Sequence, residues 1–140
     1  MTSPTSKNRR PWEFIVVTDD ETKLRLSKAT AFSSFAAGSP AVIVIIYDSG
    51  KNIRAAEDCS LSAGNIYLEA VNQGLGTCYV QIAGGTEAGS GDPEEFVRKT
   101  LGIPDRYRVQ CIMPVGYPAD LPGPHGDDEF DRGKIHLEVF

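Results

Sequence analysis

The chain has 140 residues, 14 basic against 19 acidic, for a formal net charge of -5. That length fits one domain with a single core, and the acidic balance argues against non-specific nucleic-acid binding. No run is long or apolar enough to span a membrane, and the N-terminus MTSPTSKNRR lacks the apolar centre of a signal peptide, so a cytoplasmic protein is expected.

In chain order, the polar segment 3–11 reads as a loop. Trp12 to Thr18 is aromatic and β-branched and reads as a strand; Asp19 or Asp20 then caps a helix to about Ala29. Residues 30–40 read as weak helix or loop. Ala41 to Tyr47 is a continuous apolar run between Pro40 and Asp48-Ser49-Gly50, as in a strand covered on both faces.

The most informative stretch is 58–82. Asp58 is placed to cap a helix running to about Gln73, with Cys59, Ala63, Ile66 and Ala70 on one face and Leu61, Tyr67, Leu68 and Val71 widening the apolar surface. Such a helix belongs in a core or between subunits. Gly74 suits the left-handed position after it, and Thr77 to Ile82 reads as a short strand.

Ala83 to Gly91 is a glycine-rich loop without phosphate-loop or dinucleotide spacing. Asp92, Pro93 and Glu95 open a helix to Leu101, with Glu95 placed for a capping box; Gly102 and Pro104 end it. Tyr107 to Val115 reads as a strand with Tyr107, Val109, Cys111 and Met113 on one face, ended or bulged at Pro114. Residues 117–131 read as an extended arm. Beyond it Ile135, Leu137 and Val139 share a strand face, to be added to a sheet of this subunit or of a partner.

Chemistry is sparse. The three cysteines, Cys59, Cys78 and Cys111, suggest neither a disulfide framework nor a zinc site, and Cys78 has no adjacent base or cation to activate it. His125 and His136 read as surface or capping residues. No Ser-His-Asp or Cys-His signature is present, so no catalytic side chain is expected and a cofactor would carry any reaction.

The segment 3–17, SPTSKNRRPWEFIVV, resembles the opening motif of the nitroreductase family. Its second signature is similar to this chain at Asp58, Ala63, Asn65, Leu68, Ala70, Gly74-Leu75-Gly76, Cys78 and Gln81-Ile82, its later landmarks at Leu101 to Pro104 and Val115 to Pro118, and its tail at Lys134 to Glu138. The resemblance implies an α+β sandwich with a mostly antiparallel sheet between helices, and a C-terminal strand on an extended arm. It implies an FMN-dependent homodimer that takes reducing equivalents from NAD(P)H and passes them to a nitroaromatic, quinone or similar acceptor. By the same resemblance Pro4, Thr5, Ser6 and Asn8 would meet the flavin ring, commonly from the partner subunit. Gln81 and Ile82 would bring backbone to its reactive edge, Gly116 would permit close approach, and Lys134 stands nearest a familiar phosphate contact. Family members carry two further helices, opening with an arginine motif that grips the phosphate, before the loop at which this chain begins. Arg9, Arg10, Arg132 and Lys134 are the nearest replacements. The chain is therefore expected to be a single domain short at its N-terminus: either a flavoenzyme, or a relative that binds FMN weakly or not at all and serves as a binding or dimerisation module.

Overall fold

The computed structural model describes residues 2–85, 91–121 and 123–140; part of the glycine-rich loop, residues 86–90, lies outside them, as does residue 122 of the arm. In chain order the elements are β1 (Trp12–Val17), α1 (Asp20–Leu26), β2 (Ala41–Asp48), α2 (Ala55–Asn72), β3 (Gly76–Thr77), β4 (Val80–Gln81), α3 (Pro93–Leu101) and β5 (Tyr107–Gly116). The sheet is antiparallel throughout, in the order β1-β2-β5-β3, with β4 also on β5.

Helices cover both faces. On one, Leu26 of α1 and Val97 of α3 pack with Val42, Val44, Ile46, Val109 and Ile112; on the other, Ala55, Cys59 and Ala63 of α2 pack with Trp12, Ile45, Tyr47, Cys111 and Met113. This is the α+β sandwich expected, with β2 buried on both sides.

Local chemistry explains the ends that the sequence locates. The Asp19 carboxylate accepts from the Thr22 amide at 2.8 Å, and Asp92 does the same for Glu94 at 2.9 Å, each occupying a helix N-cap. Gly74 (φ 70°) and Gly102 (φ 65°) adopt the left-handed conformation that ends α2 and α3.

Four expectations are corrected. Helix α2 begins at Ala55, so Asp58 lies inside its first turn and serves elsewhere. Glu95 pairs with Lys99 at 2.6 Å rather than closing a capping box. The strand expected over 77–82 is two fragments. The break at Cys78-Tyr79 faces Met113 and Pro114 of β5, and proline has no amide to offer a ladder there. The alternation from Tyr107 to Met113 also fails. Ile45 pairs with Cys111 but Ile46 with Val109, so Gln110 is an extra residue. This bulge sends Tyr107 and Val109 to the α1/α3 side, and Cys111 and Met113 to the α2 side.

Residues beyond Gly116 run over the surface. Ile135, Leu137 and Val139 are exposed, and no strand forms among the described residues of this tail, which holds two short 3-10 turns. The expected C-terminal strand is thus not formed on the chain's own sheet. Two-residue β3 and β4 offer no ladder on their side of the sheet, and the tail does not pair with the free flank of β1.

Candidate functional site

Residues 3–10 form a wound loop over the start of α2. The Asn8 amide donates to Thr5 O at 3.0 Å, and the Arg10 amide to Thr5 Oγ1 at 3.1 Å. Lys7, Asn8 and Arg10 all have positive φ (51°, 55° and 45°), a conformation costly for residues other than glycine. What holds the loop so is Asp58. Its buried carboxylate accepts from the Ser6 amide at 3.0 Å and from Asn52 Nδ2 at 3.2 Å, and so fastens the loop and the turn 49–54 to one helix. Farther along α2, Asn65 donates to Ser3 Oγ at 2.6 Å. Of the four expected site residues here, Thr5 and Ser6 are half-buried, whereas Pro4 and Asn8 face solvent. Asn8 Oδ1 accepts from Arg10 Nε at 3.1 Å.

On the opposite edge of the sheet, β4 and the turn after it wall a slot of about 450 Å³ lined by Phe32, Cys78, Tyr79, Gln81, Gly84 and Gly85, among others. Gln81 is exposed at its rim, with Nε2 donating to Ala83 O at 2.7 Å. Ile82 departs from expectation. Its side chain is fully buried and its amide donates to Gln110 O at 3.1 Å, so it presents no free N–H to a ligand. Gly84 has φ 67°, and a Cβ at Gly85 would lie 3.1 Å from Ile82 O, so both glycines are needed for the turn. The bulged Gln110 stands behind Tyr79 and donates through Nε2 to the Tyr79 hydroxyl at 2.8 Å and to Ser60 Oγ at 3.2 Å. Burial pushes the Tyr79 phenol above its ordinary range. Sequence alone leaves Phe32, Phe35 and Tyr79 open between a pocket and the core, with the core favoured; here Phe32 and Tyr79 line the slot.

Gly116 borders a smaller cleft, about 290 Å³, that shares Cys78 with the slot. A Cβ on Gly116 would sit 2.8 Å from Pro40 Cδ, so glycine is demanded here by close packing rather than by a special φ. Lys134 is brought to none of these places. It lies in the exposed tail, its Nζ 3.7 Å from Asp131 Oδ2.

Remaining reactive groups fall into place. Burial pushes the Cys59 and Cys111 thiols up to about 12, leaving them inert, while Cys78 is exposed. His125 Nδ1 meets Glu129 at 2.6 Å on the surface. Among the described residues no cluster of His, Cys, Asp or Glu is suited to a metal, and no helix is long and apolar enough to cross a membrane.

Known proteins share this fold. The sequence profile of the nitroreductase family matches residues 27–117. A protein of Methanothermobacter thermautotrophicus, assigned by inference as an NADH dehydrogenase/NAD(P)H nitroreductase, is 31% identical over 143 residues, covering 100% of this chain and 71% of its own length. One of the same description from Archaeoglobus fulgidus is 31% identical over 145 residues, covering 100% of this chain and 80% of its own. Among solved structures, an FMN-dependent nitroreductase from Clostridium difficile R20291 superposes with a TM-score of 0.95 at 35% identity, over 99% of this chain and 82% of that one.

Proposed function

Because the chain belongs to the nitroreductase family, we propose that residues 1–140 form a single nitroreductase-like domain acting as an FMN-dependent oxidoreductase. It passes reducing equivalents from NAD(P)H to a nitroaromatic, quinone or similar acceptor. The observation that carries this reading is the slot at β4. Phe32 and Tyr79 give it apolar walls, and Gly84 and Gly85 remove side chains where a flat ring would need room. The neighbour from Clostridium difficile is described as FMN-dependent. Bound FMN would supply the hydride chemistry that no side chain of this chain offers.

The chain's own residues then bind and orient. Gln81 at the rim offers a side-chain amide for hydrogen bonding, while the buried Ile82 and the bulged Gln110 hold β4 rigid behind it. Phe32 and Tyr79 offer ring faces against which a flat ligand would pack. Asn8 and the backbone of the loop 4–8, held by Asp58, present polar groups from a second wall contributed by another copy of the chain.

Two exposed apolar surfaces support a homodimer: Leu61, Tyr67, Leu68 and Val71 along α2, and Ile135, Leu137 and Val139 in the tail. Helix α2 is therefore not covered on most sides by its own chain, and its outer face suits a subunit interface.

One observation favours the second reading, a dimerising relative with weak flavin affinity. No lysine or arginine lines the slot among the described residues, so the ring is accommodated better than the phosphate. The deciding experiment is the visible absorption spectrum of purified protein before and after incubation with FMN and desalting, followed by assay of NAD(P)H oxidation with a nitroaromatic or quinone. A retained flavin band with turnover supports the enzyme. Folded protein that holds no flavin at micromolar concentration refutes it.

A further inference from the structure

Two cavities meet at Cys78. One is the slot at β4; the other, of about 290 Å³, is the cleft between the turn before β2 and the chain leaving β5. The cleft is the smaller of the pair and suits a single substituted ring rather than a fused ring system.

Its lining excludes charge. In a chain of which 24% is charged, no Asp, Glu, Lys or Arg lines the cleft among the described residues. Pro40, Pro114 and Pro118 supply much of the wall and have no backbone N–H to offer an anion. The cation behind this wall, Lys23, is buried and already committed: its Nζ donates to Ser39 O at 2.7 Å and pairs with Asp20 Oδ1 at 2.9 Å. The same bond fixes the wall, as does the Ser39 hydroxyl, which donates to Ala36 O at 2.8 Å. The cleft is thus formed before any ligand arrives, which lowers the cost of binding.

Two aromatic side chains stand at the cleft with much of their surface in solvent, Phe35 at 46% and Tyr117 at 85% exposed. They come from separate segments, one before β2 and one after β5, and neither belongs to the core on either face of the sheet. Exposed ring faces beside an apolar cleft favour another ring. Thr77, also at the cleft, has its hydroxyl buried without a partner among the described residues. A nitro or carbonyl oxygen at the cleft floor would give it one.

We propose that this cleft binds an uncharged, single-ring aromatic carrying a nitro or quinone oxygen, with Phe35 and Tyr117 as the residues that set its affinity. That this ligand is the electron acceptor rests on the flavin reading of the adjoining slot; the preference for uncharged rings does not. An anionic ring gives up the water around its charge and finds no donor in exchange, so discrimination should be about tenfold or more.

Titration calorimetry of the full chain, free of flavin and loaded with FMN, tests this with 4-nitrobenzyl alcohol and 4-nitrobenzoate, which share ring and nitro group and differ in charge. Wild type is compared with Phe35→Ala/Tyr117→Ala, with Gly38→Lys, and with Phe130→Ala, an exposed aromatic of the tail outside the cleft. Gly38 lines the cleft, and a Cβ there meets nothing within 4 Å, so a lysine fits. Urea midpoints will verify that the variants fold. The alcohol should bind wild type and Phe130→Ala with a Kd of about 1 mM or below, about tenfold or more tighter than the benzoate. The double variant should lose about tenfold for the alcohol, and Gly38→Lys should bring the benzoate level with the alcohol or past it. Where FMN-loaded protein turns over, the double variant should raise KM for the alcohol at unchanged kcat. The binding pattern in protein that retains no flavin upholds the cleft while the enzyme reading falls. Turnover with KM and affinity unmoved in the double variant upholds the enzyme and overturns the cleft. The proposal is overturned likewise if the two probes bind wild type alike, if neither binds, or if FMN loading displaces the alcohol, since the cleft would then belong to the flavin itself.

Discussion

Replacing Asp58 with alanine should loosen the N-terminal loop without unfolding the sheet. The carboxylate accepts from the Ser6 amide and Asn52 Nδ2 in a buried setting. Hydrogen bonds to a charged group are each worth about 1.5–3 kcal/mol, which sets a ceiling near 6 kcal/mol. Two effects lower it. The Ser6 and Asn52 donors are only partly buried and regain water once the loop lifts, and release relieves the positive φ of Lys7, Asn8 and Arg10, which is of order 1 kcal/mol each. The net cost is therefore about 1–2 kcal/mol. With a urea m-value of about 2 kcal/mol/M for a chain of this size, the midpoint should drop by about 0.5–1 M at unchanged slope. Trypsin should cut after Lys7 and Arg9 many times faster than in wild type, because cleavage needs the loop extended. Asp58→Asn keeps one acceptor oxygen and should fall between. A midpoint and a nicking rate equal to wild type in Asp58→Ala would refute the fastening role.

Other outcomes follow from the same structure. Glu94 is buried, and burial alone would raise its carboxyl, but hydrogen bonds from Arg108 at 2.6 Å and the Val109 amide at 2.9 Å outweigh this and lower it. The stabilisation is complete above the ordinary glutamate value of about 4.3 and is lost as pH falls through the lowered folded value. Glu94→Gln should thus cost about 2–4 kcal/mol at pH 7 and progressively less below pH 4; a pH-independent difference in urea stability would contradict this. Iodoacetamide at pH 8 should label Cys78 alone in native protein, with Cys59 and Cys111 reacting only after denaturation, as read by peptide mass spectrometry. Gly116→Ala should lower stability by about 1–3 kcal/mol, since its Cβ would press on Pro40; an unchanged midpoint would show that Pro40 yields freely. In flavin-loaded protein, Asn8→Ala should shift FMN affinity or reduction potential, and unchanged values by spectroelectrochemistry would remove Asn8 from the ring site.

What could be read from the chain was what depends on near neighbours. Asp19, Asp92, Gly74 and Gly102 mark helix ends through groups a few residues away, and the unbroken apolar run of β2 announces burial on both faces. What could not be read depends on distant partners. Asp58 looks like a helix cap by spacing, yet its partners are 52 and 6 residues away in sequence. The phase change at Gln110 is visible only against β2, and the gap between β3 and β4 only against Pro114. Of the candidate site residues, Gln81 and Gly116 each lie at a cavity wall or rim. That Lys7 and Arg9 share a cavity with Arg54 could not be read, because they come together only after the loop folds back over the start of α2.

The broken edge at β3 and β4 has a further meaning for assembly. Two fragments of two residues expose too little aligned backbone to template another strand, so this border of the sheet is closed to growth. The six residues of β1 form the other border, with one flank unpaired. Any strand recruited by the sheet, including the Ile135–Val139 segment of another copy, is thereby steered to β1 and away from the slot. The slot's mouth is left free for small molecules.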